Sequence, residues 1–103
     1  MTLPVSLHAY KSEIDAFDRA ITATRGIRIE FPDQTRARGY VARLHNARAL
    51  DRKENLRTLD PTNPLYGKSD FDCITVSIRQ DTGGNAWVYL EKNEVIPGHV
   101  EEL

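Results

Sequence analysis

The stretch from Thr35 to Arg57, TRARGYVARLHNARALDRKENLR, is the longest uninterrupted helical pattern in the chain and sets its architecture. Ala37, Tyr40, Val41, Leu44 and Ala47 recur at three- and four-residue intervals, which places them on one side of a 3.6-period helix. Arg36, Arg38, Arg43, His45, Arg52 and Lys53 fall on the flanks and the far side. The pattern predicts a helix that buries one stripe and turns a cationic surface to solvent. Pro32 and Asp33 open it: proline fits a first helical turn, and Asp33 or Thr35 can cap the free N–H groups. Gly39 inside the helix costs about 1 kcal/mol relative to alanine, so close packing or a kink is expected there. Asp51 would fall on the apolar side, so the regular helix is predicted to end or bend near it.

The remaining segments supply what such a helix packs against. Tyr10, Ile14, Phe17, Ile21 and Thr24 step by four and three, predicting a first helix over Ala9 to Thr24, with a capping box at Ser12 to Asp15 and a stop at Gly26. Ile27-Arg28-Ile29-Glu30-Phe31 alternates strictly and reads as a strand with Ile27, Ile29 and Phe31 facing the core. Asp60 to Asp72 holds Pro61, Pro64 and Gly67 and reads as a long connection, anchored by Tyr66 and Phe71. Cys73 to Gln80, the turn Asp81 to Asn85, and Ala86 to Glu91 form a hairpin. Its aliphatic face should meet the helices, leaving Trp87 and Tyr89 on the other face. The expected fold is α+β, in the order α-β-α-β-β, with two helices on one face of a three-stranded sheet and a C-terminal β-hairpin. If the first strand lies parallel to its neighbour, the second helix is the right-handed crossover. One domain over residues 1–103 is expected, with 1–8 and 94–103 loosely ordered.

A net charge of -1 conceals a segregated distribution. Nine basic residues face four acidic ones between Arg25 and Arg57, and five basic face eleven acidic elsewhere, so an anionic partner or a second copy is invited. Apolar runs of only a few residues exclude a membrane-spanning helix, and MTLPVSLHAYKSEID lacks the features of a signal peptide. The single cysteine, Cys73, rules out an internal disulfide and a cysteine-rich metal site.

Catalytic motifs are thin. His8, His45 and His99 are scattered, and Cys73 opens a strand without a local histidine, as a core cysteine does. Tyr66-Gly67-Lys68-Ser69 ends like a phosphate-binding loop, but Thr62 stands where the first glycine belongs. Asp33, Glu91 and Lys92 approach a metal-dependent nuclease set, yet the glutamate and lysine are adjacent where one residue should separate them. No enzyme and no cofactor is expected. Trp87 and Tyr89 beside Arg79 form a candidate stacking platform for unpaired bases, against the simpler expectation that they cover the sheet. The arginine-rich helix is the main candidate. Arg36, Arg38, Arg43, His45, Arg48, Arg52, Lys53 and Arg57 are expected to bind DNA or RNA, because arginine offers bidentate contacts to phosphate and guanine. The alternative is that the same face meets an acidic protein surface, or the acidic first helix of a second copy in a homodimer.

Gly26 to Leu90 resembles small proteins of tailed bacteriophages. The likeness rests on GIRIEF, the arginine-rich RLHNARALDRKEN, YGKSDFDCITVSI and WVYLEKN. It implies a viral accessory protein in the bacterial cytoplasm, one that binds nucleic acid or binds and inhibits a host protein complex.

Overall fold

A computed structural model describes residues 5–93; the tail at 94–103 lies outside the described residues. A short 3-10 helix, Val5–Tyr10, leads into α1 (Lys11–Thr22), β1 (Gly26–Phe31) and α2 (Gln34–Thr58). A second 3-10 turn, Asp70–Cys73, precedes β2 (Ile74–Gln80) and β3 (Ala86–Lys92). The fold is α+β, two helices against a three-stranded antiparallel sheet ending in the β2–β3 hairpin.

The sheet order is β1-β3-β2, so the last strand is central. Gly26 pairs with Glu91 and Phe31 with Ala86 on one side of β3; Ile74 pairs with Lys92 and Gln80 with Ala86 on the other. β1 therefore has no parallel neighbour. It runs parallel to β2 with β3 between them, and α2 carries the chain across that gap. Alternation decides the faces. Ala86, Val88 and Leu90 are fully buried beneath the helices, whereas Trp87 and Tyr89 stand on the opposite face.

The core joins Phe17, Ala20, Ala37, Leu44, Ala47 and Ile74 to that β3 stripe. Phe71 stacks on Phe17 with ring centroids 4.8 Å apart, which fixes the end of the long connection to α1. Leu7 is 1% exposed, so the lead expected to be loose contributes a core residue.

The helix ends differ from the sequence expectation for physical reasons. α1 begins after Tyr10 with no side-chain cap; the Ser12 hydroxyl donates to Glu13 at 2.7 Å instead of closing a capping box. α1 ends at Thr22, before Gly26. Lys92 Nζ donates to the Ile21 and Ala23 carbonyls at 2.9 and 3.2 Å, supplying the cap from the last strand. Gly26 answers a different need: its φ is +123°, and a Cβ there would lie 2.0 Å from the Leu90 carbonyl oxygen. Asp33 caps α2 as anticipated, accepting from the Arg36 N–H at 2.8 Å. α2 does not end at Asp51 but continues to Thr58, because the Asp51 carboxylate accepts from the Ser69 hydroxyl at 2.6 Å. Gly39 lies inside the continuous α2 and does not pack closely; a Cβ there would meet nothing within 4 Å.

Candidate functional site

Three surfaces stand out: the outer side of α2, the uncovered face of the sheet, and a cleft between the helices. On α2 three of the six arginines, Arg43, Arg48 and Arg52, bond to other parts of the fold. Arg48 is 7% exposed, donating to the Phe71 and Ile74 carbonyls at 3.0 and 2.7 Å with its guanidinium 5.3 Å from the Phe17 ring centroid. Its assignment to a nucleic-acid face is thereby corrected: the buried side of α2 meets backbone carbonyls that need a strong donor. Burial lowers the Arg48 pKa, and repulsion from Arg52 adds to that.

Arg43 pairs with Glu13 and donates to the Ala9 carbonyl at 2.7 Å, tying α2 to α1. Glu13 is 2% exposed. Burial alone would raise its pKa, but hydrogen bonds from Arg43 and Ser12 outweigh that and hold it below the ordinary value. Arg52 binds Asp72 at 2.5 Å, Arg57 pairs with Glu54, and Arg36 lies 3.6 Å from Asp33. Arg38, His45 and Lys53 are exposed and have no ion pair with any described residue. Of the eight proposed contact residues, Arg48 is buried, Arg43 and Arg52 are half-exposed and tied to other elements, Arg36 and Arg57 are exposed in local pairs at the two ends of α2, and Arg38, His45 and Lys53 are exposed without an ion pair to any described residue.

On the uncovered sheet face the aromatic rings are already occupied. The Arg28 guanidinium lies 4.2 Å from the Trp87 centroid, and that of Arg79 lies 4.1 Å from Tyr89. Arg79 also binds Glu91 at 2.5 Å, and Trp87 donates to Asp81 at 2.8 Å. The diagonal cation–π contacts follow from the register, in which Arg28 sits opposite Tyr89 and Arg79 opposite Trp87.

The cleft is the surface that sequence reasoning missed. It encloses about 750 Å³ between α1, the C-terminal half of α2 and the connection after it. Leu7, Ile14, Ile21, Leu59, Leu65 and Phe71 make its apolar walls and floor. Asp18, Asp51, Glu54 and Asp70 bring carboxylates to it. Glu54 has Arg57 as partner, and Asp51 accepts only from the Ser69 hydroxyl. Asp18, Asp51 and Asp70 have no ion pair with any described cation. Desolvation raises the pKa of Asp18, and Asp15, Asp70 and Asp51 push it further. Desolvation also raises that of Asp51 over the opposing Ser69 hydrogen bond, and Asp70 and Asp72 add repulsion.

The signals were present in the sequence. Asp18 interrupts the apolar stripe of α1 between Ile14 and Ile21, and Asp51 interrupts that of α2. Read helix by helix, each looks like a flaw; packed together, they share one hollow.

The residues considered for chemistry are dispersed. Asp33 caps α2, Glu91 binds Arg79, and Lys92 caps α1. Cys73 is exposed, not a core residue, and its thiol donates to the Asp70 carbonyl at 3.4 Å. No group of three His, Cys, Asp or Glu is placed to hold a metal ion among the described residues. Nor is any described helix long and apolar enough to cross a membrane. No family model matches the chain, and no curated protein or solved structure is detectably similar to it.

Proposed function

We propose that this chain is a non-catalytic binding module that docks a segment of a protein partner into the cleft between α1 and α2. The observation that carries this reading is an apolar hollow of about 750 Å³ bordered by three aspartates that have no ion pair with any described cation. A volume of this size lies within the range of ligand-binding clefts. Like charges gathered beside apolar surface weaken a fold, and the nearby Arg52 and Arg57 are engaged by Asp72 and by Glu54, the cleft's fourth carboxylate. Such an arrangement costs stability, which favours a binding role over a purely structural one. The resemblance to tailed-phage proteins suits a partner in the bacterial cytoplasm, such as a host complex that the module modulates.

A nucleic-acid reading keeps one specific support. Arg38, His45 and Lys53 repeat at seven- and eight-residue spacing along the solvent side of α2, without carboxylate partners. Two full positive charges and a histidine give a weak phosphate footprint, so this reading ranks second.

A pull-down separates the two. The baits are the wild type, the cleft variant Asp18→Asn/Asp51→Asn/Asp70→Asn, and the helix variant Arg38→Glu/Lys53→Glu, in nuclease-treated bacterial lysate. The wild type and the helix variant should retain the same protein, and the cleft variant should lose it. Capture that vanishes with nuclease and with the helix variant, but survives in the cleft variant, would overturn the docking reading in favour of nucleic acid.

A further inference from the structure

The two helices that border the cleft present it with matched rows. From α1 come Ile14, Asp18 and Ile21, spaced four and three; from α2 come Asp51, Glu54, Asn55 and Thr58, spaced three, one and three. Each row advances seven residues, about 10 Å of helix axis. Leu7 and Phe71, 1% and 7% exposed, form the floor, and Leu59 and Leu65 stand at the end where α2 gives way to the connection. The hollow is therefore a short groove between two helical rows, the shape into which a third helix lays its apolar side.

Resting on the docking role proposed above, we infer that the occupant is a cationic amphipathic helix of a partner protein, with about two turns seated in the groove. Its Leu or Ile side chains pack on Ile21, Leu59 and Leu65, the lining apolar residues still open to solvent, and flanking Lys or Arg side chains reach Asp18, Asp51 and Asp70. Charge complementarity selects this occupant. An anionic or neutral helix would bury the three aspartates without a counter-charge, and nucleic acid would be repelled. Lysine and arginine suit both parts of the surface, because their methylene stems lie on apolar walls while the charged heads reach the rim. A second copy of this chain fits less well. The outer side of α2 offers Arg38, His45 and Lys53 with Ala42, Ala49 and, near its C-terminal end, Leu56; a single large apolar side chain is too little bulk to fill the hollow.

The same geometry makes occupancy sensitive to acid. The groups facing the groove are Asp18 from α1, Asp51 and Glu54 from α2, and Asp70 from the turn before β2; Asp15, Lys11, Arg57, Asp72 and Arg52 lie around them. Protonation of Asp18 and Asp51 removes charge that the cationic helix requires. Both carboxyls take up protons above their ordinary 3.8.

The test uses three labelled peptides of about four helical turns that share one leucine stripe and differ only in the polar face: lysine, glutamine or glutamate. Binding is read by fluorescence anisotropy, and its place by methyl chemical shifts of Ile14, Ile21, Leu59 and Leu65. The wild type should take the lysine peptide at least about tenfold more tightly than the glutamine peptide and should reject the glutamate one. Asp18→Asn/Asp51→Asn/Asp70→Asn, verified as folded by circular dichroism, should bind the lysine and glutamine peptides equally. Equal binding of both peptides by the wild type, with the cleft methyls shifting, would overturn the cationic assignment and leave docking intact. Absence of methyl shifts with every peptide would overturn both. Self-association that moves the same methyls and disappears in the triple variant would assign the groove to a second copy, against this inference.

Discussion

Replacing Arg48 with methionine keeps the apolar stem and deletes the guanidinium. Two donated bonds disappear, to the Phe71 and Ile74 carbonyls. They are not equivalent. The Phe71 carbonyl keeps the Ile74 N–H as a partner, whereas the Ile74 carbonyl loses a 2.7 Å bond from a charged donor. Hydrogen bonds to charged groups contribute about 1.5–3 kcal/mol each, and removing a buried cation returns part of that through its regained hydration. The net loss is expected to be about 2–3 kcal/mol, a large share of the roughly 5–15 kcal/mol that holds a domain of this kind together. Urea unfolding followed by far-ultraviolet circular dichroism should show a lower midpoint with an unchanged slope, and the thermal midpoint should fall by about 10–20 °C. The loss should be the same in low and high salt, since a buried contact is poorly screened. A change below about 0.5 kcal/mol would place Arg48 among ordinary surface residues and return it to the cationic face.

Gly39→Ala should stabilise the protein by about 0.5–1 kcal/mol, because the position is helical and open, and the same urea assay would detect it. Gly26→Ala should destabilise it by about 3 kcal/mol or more and loosen β1, seen as faster amide exchange at Ile27 and Ile29, since the new Cβ meets the Leu90 carbonyl. The folded-state pKa values of Asp18 and Asp51 lie above the ordinary 3.8, so the native state binds their protons more tightly than the unfolded chain does. Stability should therefore rise as pH falls through the interval just above 3.8, and Asp18→Asn/Asp51→Asn should be more stable than the wild type at neutral pH and lack that rise. Glu13 behaves oppositely: its pKa is lowered, so its contribution is lost as pH drops below the ordinary 4.5. Arg43→Met should weaken or reverse that dependence, because burial then acts on Glu13 with only the Ser12 bond and the Glu13 backbone N–H against it, and a pH series of urea midpoints would reveal the change.

The elements were legible in the sequence where the pattern is local. The alternation of Ile27, Ile29 and Phe31, and of Ala86, Val88 and Leu90, identified strands and their inner faces. Strand order was not legible, because pairing Gly26 with Glu91 depends on contacts across most of the chain. The arginines show the same limit. Arg38 and Arg48 are chemically identical and sit in one helix, yet one is solvated and the other is buried against carbonyls of residues 71 and 74. Asp51 was read as a helix end because its partner, Ser69, lies eighteen residues further along. The cleft stayed invisible for a related reason: Asp18 and Asp70 belong to segments that only the fold brings together.

The central place of β3 has a consequence for how the protein is made. β1 leaves the ribosome before β3, but its sheet neighbour among the described residues is the strand ending at Lys92, and the same lysine closes the end of α1. Until that residue emerges, the first half of the chain holds an unpaired strand and an unfinished helix terminus. Assembly must await the far end of the hairpin, so the nascent protein depends on rapid late closure to keep its edges from pairing with the wrong chain.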